Sequence, residues 1–561
     1  MDSNTLFASI FVDALIQSGL EHVVLAPGSR HTPLVLAFAA REELTIHSHL
    51  DERCAAFYAL GLALGTEKPT AVCCTSGTAG ANMYPAIIEA HQSQIPLIII
   101  TADRPPELHH SGANQTIDQI HLFGNYAKWF VEMGLPEEHP NDTTIRNLRS
   151  TAHRAFAIAN GHTKGVVHIN IPFRKPLEPA HLDDVTKAAA EAKRSSSTLQ
   201  WYTASHPKTF PLKDVESIAQ VINATKQGII VLGTNIRPEA VNHQILKRFA
   251  QITGYPIIAD PLSNQRWHPE LSEYIIGGYD TFLNAKHLHP AEIVIRVGNV
   301  PTSKALNDYI ATFPQTLLQI SENGSWSDDL HLTTHFIEAN PEAFFTILAD
   351  CLPQRPNESS HLSKWQSSES LTWSYIATEL EQSTYFDGGV VYDVIDLLPD
   401  RSTLFIGNSL PIRHVDQFGK PSTKSVTVYG NRGASGIDGN ISTALGLGKA
   451  LPHQPLVAIL GDITFYHDMN GLLAIQRCNV PITIVLLNNN GGGIFHRLPI
   501  RKFEPPFTDL FVTPHQLDYE HVARLYGLEF ARINVRDVSS RNTFRQVFSQ
   551  ATSNTKHSTL I

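Results

Sequence analysis

The sequence predicts an α/β protein built from three doubly wound parallel-sheet domains. Short, nearly continuous apolar runs alternate with helix-like patterns along most of the chain, which is how strands buried on both faces of a parallel sheet read. Polar stretches interrupt that alternation twice, at 176–210 and 353–370. The 561 residues also suffice for three or four domains at roughly 150 residues each. The predicted domains are 1–185, 200–355 and 370–561.

In the first domain, His22–Ala26 is an apolar run that leads into PGSR, with a helical pattern from Thr32. Leu44–His49 reads as a strand with a helix starting near Asp51 or Glu52. Thr70–Thr75 leads into SGTAG and a helix over Ala81–His91, and Pro96–Thr101 leads into ADRPPE. Gly165–Ile171 is a further strand. The stretch EPAHLDDVTKAAAEAKRSSS is polar and reads as a linker. Strands at Gly228–Gly233, Pro256–Ile258, Glu292–Gly298 and Thr316–Ile320 make the second domain. PQRPNESSHLSKWQSSES reads as a second linker, and a third unit begins at Leu371. Its strands are Thr403–Ile406, Ser425–Val428, Leu456–Leu460, Ile482–Leu487 and Leu528–Ala531, and STLI opens like one more.

Composition removes several function classes. The 43 Lys and Arg against 53 Asp and Glu leave a formal charge of −10, which disfavours general binding to nucleic acid or anionic membranes. No apolar run approaches the ~18 residues that span a bilayer. The N-terminus lacks a basic region and is interrupted by Asp13 and Gln17, unlike a signal peptide. Five cysteines, Cys54, Cys73, Cys74, Cys351 and Cys478, lie in apolar stretches without zinc-ligand spacing. They read as buried free thiols of a cytoplasmic protein.

Ligands of open α/β sheets bind at the carboxyl ends of strands. In the third domain one strand ends at Gly461 and Asp462, and the next ends at Asn488-Asn489-Asn490 followed by three glycines. A right-handed crossover makes these strands parallel neighbours, so Asp462 and Asn489 come together. Both offer hard oxygens, and the glycines let a backbone carbonyl turn inward, a set that suits octahedral Mg²⁺ beside phosphate. The arrangement resembles the thiamin diphosphate signature, a GDG followed by NN one crossover later, with Ile463 in place of the last glycine. The resemblance implies that Asp462, Asn489 and the carbonyl of Gly491 bind the metal, Mg²⁺ or Mn²⁺, which holds the diphosphate.

Such enzymes also need a carboxylate against the aminopyrimidine ring. Glu52 at a strand–helix junction can fill that role by general acid–base catalysis through the cofactor. Asp51 and Glu52 equally suit a helix start, where carboxylates satisfy the dipole. His47 and His49 share a strand face, for a metal or for structure. TSGTAG, Thr75–Gly80, resembles a phosphate-cradling loop but lacks its lysine, and reads as a tight turn at the cofactor. In NRGASGIDG, Ile437 stands among glycines as a candidate wedge that bends the cofactor; the plainer reading is core packing.

Four arginines, Arg30, Arg104, Arg413 and Arg432, follow predicted strand ends. Guanidinium forks there suit a substrate with more than one carboxylate. The strings APGSR, DER, TSGTAGAN, TADRPPEL, GANQ, GNS, NRGASGIDG and NNNGGGIF resemble, in order, the 2-succinyl-5-enolpyruvyl-6-hydroxy-3-cyclohexene-1-carboxylate synthase family of menaquinone biosynthesis. The resemblance spans residues 26 to 495 and is thin in the middle domain.

It implies the thiamin diphosphate-dependent enzyme type of fold and a transferase. The reaction is decarboxylation of 2-oxoglutarate, then conjugate addition of the remaining four-carbon unit to isochorismate. It implies Glu52 as the activating carboxylate. It places Ser29, Arg30, Arg104, Asn114, Gln115, Lys304, Ser409, Arg413, Ile494 and Phe495 around the substrates, with Arg432 a further candidate. Ala305 stands where the family often has a second basic residue. A homodimer or homotetramer with active sites shared between subunits is implied as well. The alternatives are another thiamin-dependent 2-oxoacid decarboxylase, an acetolactate synthase-like carboligase, or a catalytically silent cofactor-binding homologue.

Overall fold

The computed structural model describes residues 2–194, 212–238, 240–283, 290–353, 360–535, 539–554 and 556–561. Three six-stranded parallel sheets carry the chain, each flanked by helices, as predicted. The first contains β1 (His22–Leu25), β2 (Thr45–Ser48), β3 (Thr70–Cys74), β4 (Leu97–Asp103), β5 (Trp129–Glu132) and β6 (Val166–Pro172), in the order β2-β1-β3-β4-β6-β5. The second contains β7 (Gly228–Leu232), β8 (Ile257–Ala259), β9 (Ile275–Ile276), β10 (Ile293–Val297), β11 (Thr316–Ser321) and β12 (His335–Glu338), in the order β12-β11-β10-β7-β8-β9. The third contains β13 (Ser402–Ile406), β14 (Val426–Tyr429), β15 (Leu456–Gly461), β16 (Thr483–Leu487), β17 (Glu529–Phe530) and β18 (Thr559–Leu560), in the order β14-β13-β15-β16-β18-β17. Among the described residues no helix is long and apolar enough to cross a membrane.

The first and third sheets share one strand order. Chain direction across the sheet reverses between β1 and β3, and again between β13 and β15. Crevices for ligands open at such switch points. In the middle sheet the corresponding place lies between β7 and β10, and there the two strand ends are knitted together. Gly233 N–H donates to Val297 O at 2.8 Å, and Asn299 N–H to Thr234 O at 3.0 Å.

Several expectations need correction. The first polar linker contains the helix Leu182–Arg194, whose Val185, Ala188, Ala189 and Ala192 are buried. Alanine supplies helix propensity but little hydrophobic signal, so the stretch looked like a linker. The second linker likewise contains the start of the helix Ser360–Gln382. Residues 195–211 and 354–359 of these stretches, and with them the predicted boundaries at 200 and 355, lie outside the described residues. β5, β9 and β12 carried no strand signal, since β9 has two residues and β5 and β12 are half-exposed. Four of the five thiols are buried as expected, but Cys351 is exposed at a helix end.

By packing, the chain divides into two compact units. The first comprises Met1–Ala204, Asn431–His453 and Thr464–Pro481, and so holds the first sheet. The second comprises Ser205–Gly430, Gln454–Ile463 and Ile482–Ile561, and holds the other two. In the second unit, fully buried Arg266 donates to the carbonyls of Val415, Asp416 and Gly419 and to Asp416 Oδ1 at 3.0 Å. It thereby caps the helix Leu410–Phe418 from the middle sheet's side.

Candidate active site

In the first unit the β1–β3 switch point carries Arg30. Only 4 % exposed, it donates from Nη1 to Phe173 O at 2.8 Å, while its Nε finds no acceptor. Burial and the nearby charge of Arg104 lower its pKa, with Asp103 opposing. A buried guanidinium with an unspent donor beside a second arginine can pair with an anion. Arg104 donates from Nε and Nη2 to Asn114 O at 3.2 and 3.1 Å. Gln115 donates to Ser76 O at 2.9 Å. Thus Arg30, Arg104, Asn114 and Gln115 gather on one rim, with Ser29 exposed next to Arg30.

The two readings of the DER segment separate here. Asp51 is the helix cap, its Oδ1 accepting from Arg53 N at 2.9 Å and Cys54 N at 3.3 Å. Its Oδ2 accepts from Asn470 Nδ2 at 3.1 Å. Glu52 opens the helix Glu52–Thr66, half-buried, with its carboxylate near Cys74 at the end of β3. Capping is therefore complete without Glu52.

In the TSGTAG turn the Gly77 N–H is already engaged. Gly77 N–H donates to Gln119 Oε1 at 2.9 Å, and Gln119 Nε2 goes on to Asn170 Oδ1 at 2.7 Å. His47 and His49 are buried against Tyr58, and His47 also faces His22. Burial pushes their pKa values down to about 3 and about 4. Among the described residues no three His, Cys, Asp or Glu side chains group as a metal site.

The segment Asn431–Gly439 belongs to the first unit and carries Arg432 and Ile437. Ile437 is half-buried rather than packed in the core. Asn440 Nδ2 ties the segment by donating to Gly436 O at 3.2 Å and Asp438 O at 2.8 Å.

In the second unit β15 and β16 run side by side with Gly461 level with Leu487, which brings Asp462 to the NNNGGG turn. Asp462 is 2 % exposed. Its Oδ2 accepts from Gly491 N–H at 2.8 Å and faces His515 Nε2 at 3.1 Å, and Oδ1 accepts from Ile463 N–H at 2.8 Å. Gly491 has φ +139, and a Cβ there would lie 2.2 Å from Val512 O. Only glycine permits this turn. The Asn489 amide lies within 3 Å of where a Gly493 Cβ would stand. Burial and the nearby charge of Asp462 raise the pKa of Asp387, so the local field favours a cation. One carboxylate, one amide oxygen and one carbonyl in a negative field fit Mg²⁺ or Mn²⁺.

At the β13 end, Ser409 has φ +74, a strained conformation for serine, and Arg413 Nη1 donates to its carbonyl at 2.6 Å. Ile494 and Phe495 follow the metal turn, half-buried, with Phe495 edge-on to Phe511 at 5.7 Å. Lys304 stands apart. Its side chain is 85 % exposed and pairs with Asp308 one helical turn on at 2.6 Å.

Two residues here had no sequence signal: His515 and Gln119 reach their partners from distant loops. Glu89 lies in a string that resembles the family, but no role was read for it there; it holds main-chain groups of the 431–439 segment.

Residues 6–122 match the thiamine pyrophosphate enzyme N-terminal TPP binding domain, 195–406 the middle domain of thiamine pyrophosphate enzymes, and 414–561 the C-terminal TPP binding domain. The chain is 50% identical over 564 residues to the 2-succinyl-5-enolpyruvyl-6-hydroxy-3-cyclohexene-1-carboxylate synthase of Roseiflexus castenholzii, covering 100% of the chain and 95% of the relative. The enzyme of that name from Haloquadratum walsbyi is 41% identical over 594 residues, covering 99% and 94%.

Proposed function

Because the chain belongs to the 2-succinyl-5-enolpyruvyl-6-hydroxy-3-cyclohexene-1-carboxylate synthase family of thiamin diphosphate enzymes, we propose that it makes that product for menaquinone biosynthesis. It decarboxylates 2-oxoglutarate and adds the remaining four-carbon unit to isochorismate. The observation that carries this substrate choice is buried Arg30, with an unspent Nε, beside Arg104. Both substrates are dicarboxylates, and a monocarboxylate would leave such a site undercompensated.

When bound, thiamin diphosphate supplies the electron sink that lets a 2-oxoacid lose CO₂. Asp462, Asn489 and the Gly491 carbonyl hold the metal, and Gly461 lets the diphosphate approach. Glu52, released from capping by Asp51, holds a proton at the pyrimidine ring. Ile437 would lie against thiamin diphosphate when it is bound. Ser29, Arg30, Arg104, Asn114, Gln115, Ser409, Arg413 and Arg432 orient carboxylates and hydroxyls. Ile494 and Phe495 exclude water, which would otherwise protonate the four-carbon unit and release a simple aldehyde. The chain works in the cytoplasm as a homodimer or homotetramer, Glu52 of one subunit serving the metal site of another.

The test is turnover with Mg²⁺ and thiamin diphosphate, following CO₂ release and isochorismate loss together. Coupled consumption is expected. CO₂ release indifferent to isochorismate would mean a simple decarboxylase. Saturable cofactor binding without turnover would mean a silent homologue.

A further inference from the structure

Glu89 is a buried carboxylate, 3 % exposed, on the helix Tyr84–Gln92. Its Oε1 accepts from Gly433 N–H and Oε2 from Ala434 N–H, both at 2.7 Å. Ser93 Oγ donates to the same Oε1 at 2.7 Å. A carboxylate placed in the interior needs such donors to offset its lost hydration. Here two of the three come from consecutive peptide groups of a segment more than three hundred residues away.

The segment is pressed down as well as held. A Cβ on Gly433 would lie 2.5 Å from Ser93 Oγ and 2.8 Å from Gln92 Cβ. At its other end Gly439, at φ +66, lies so close to Phe57 that a Cβ would meet the ring at 2.1 Å. Phe57 is on the helix that Glu52 opens. The stretch that carries Arg432 and Ile437 is therefore suspended between two fixed points on the first unit, and one of them rides on the Glu52 helix.

We infer that Glu89 is a positioning residue for cofactor binding, its two oxygens setting the 431–439 segment so that Ile437 meets the cofactor. This rests on the thiamin diphosphate reading above. It explains why a carboxylate is needed. Glutamine offers one acceptor, and its NH₂ would oppose a main-chain N–H.

The experiment compares Glu89→Gln and Gly433→Ala with wild type. Gly433→Ala shifts the segment from its own side and leaves Glu89 intact. Thiamin diphosphate is titrated with Mg²⁺ by tryptophan fluorescence, the circular-dichroism band of the bound aminopyrimidine is recorded, and apoprotein unfolding is measured. Both variants are expected to need at least about tenfold more cofactor for half-saturation and to lose most of the band. Their apoprotein melting curves should stay cooperative. Wild-type affinity and an unchanged band in both variants would overturn the inference. So would a loss of affinity seen only in a variant whose apoprotein no longer melts cooperatively. Wild type that binds no thiamin diphosphate would instead overturn the functional reading.

Discussion

Asp462 Oδ2 accepts the N–H of Gly491 at 2.8 Å, joining the end of β15 to the turn after β16. The bond aims one carboxylate oxygen into the NNNGGG turn. A metal bound there shares its anchor with the turn's own geometry. Asp462→Ala should therefore raise the Mg²⁺ concentration for half-activation beyond the ~10–100-fold cost of losing an outer-shell partner. Metal titration of the purified variant checks this. An unchanged half-activation point would remove Asp462 from the metal.

Glu52 and Asp51 divide their duties. Glu52→Gln should lower turnover at least ~100-fold, the ordinary scale of a lost acid–base group. Stability should move by less than about 0.5 kcal/mol, because Asp51 does the capping. Asp51→Ala should instead destabilise by about 1 kcal/mol. Assays and denaturant melts on the two variants test the division, and the reverse pattern would contradict it.

Arg30→Lys keeps a positive charge but removes the fork. It should raise the KM of one dicarboxylate substrate roughly 10–100-fold, the scale of a lost charge-assisted hydrogen bond. Cofactor affinity should remain. Steady-state kinetics with each substrate varied in turn will show which one Arg30 binds, and unchanged KM values for both would exclude it.

Acid should weaken the fold through buried neutral histidines. Burial lowers the pKa of His31 and His49 to about 4 and of His47 and His168 to about 3, against an ordinary 6.5. The unfolded chain thus binds more protons than the folded one between these values. The stability these groups confer is full above about pH 6.5 and is lost as pH falls toward 4. Melting temperature should decline over that range, and His49→Phe should make the decline shallower. An identical slope in the variant would refute the assignment.

Much of this site was legible in the primary structure. Buried parallel strands are near-continuous apolar runs, so GSR, ADR, GNS and GD stand out at their carboxyl ends, where the fold opens its crevices. The cap could also have been assigned, since Asp is a strong N-cap and Glu belongs inside the first turn. What escaped depended on weak or absent periodicity. The Leu182–Arg194 helix buries small alanines, and β5 and β12 are half-exposed.

Local chemistry and hydrophobic period, both properties of neighbouring residues, determined the sheets, the strand-end motifs and the arginine set. Long-range packing decided the rest. It turned Gln119 into the occupant of the Gly77 turn, set His515 against Asp462, and bound the 431–439 segment to Glu89. Each of these rests on one or two polar contacts between residues far apart in the chain. Such a contact leaves no period or composition to read, because a buried donor or acceptor demands a partner without specifying where along the chain that partner comes from.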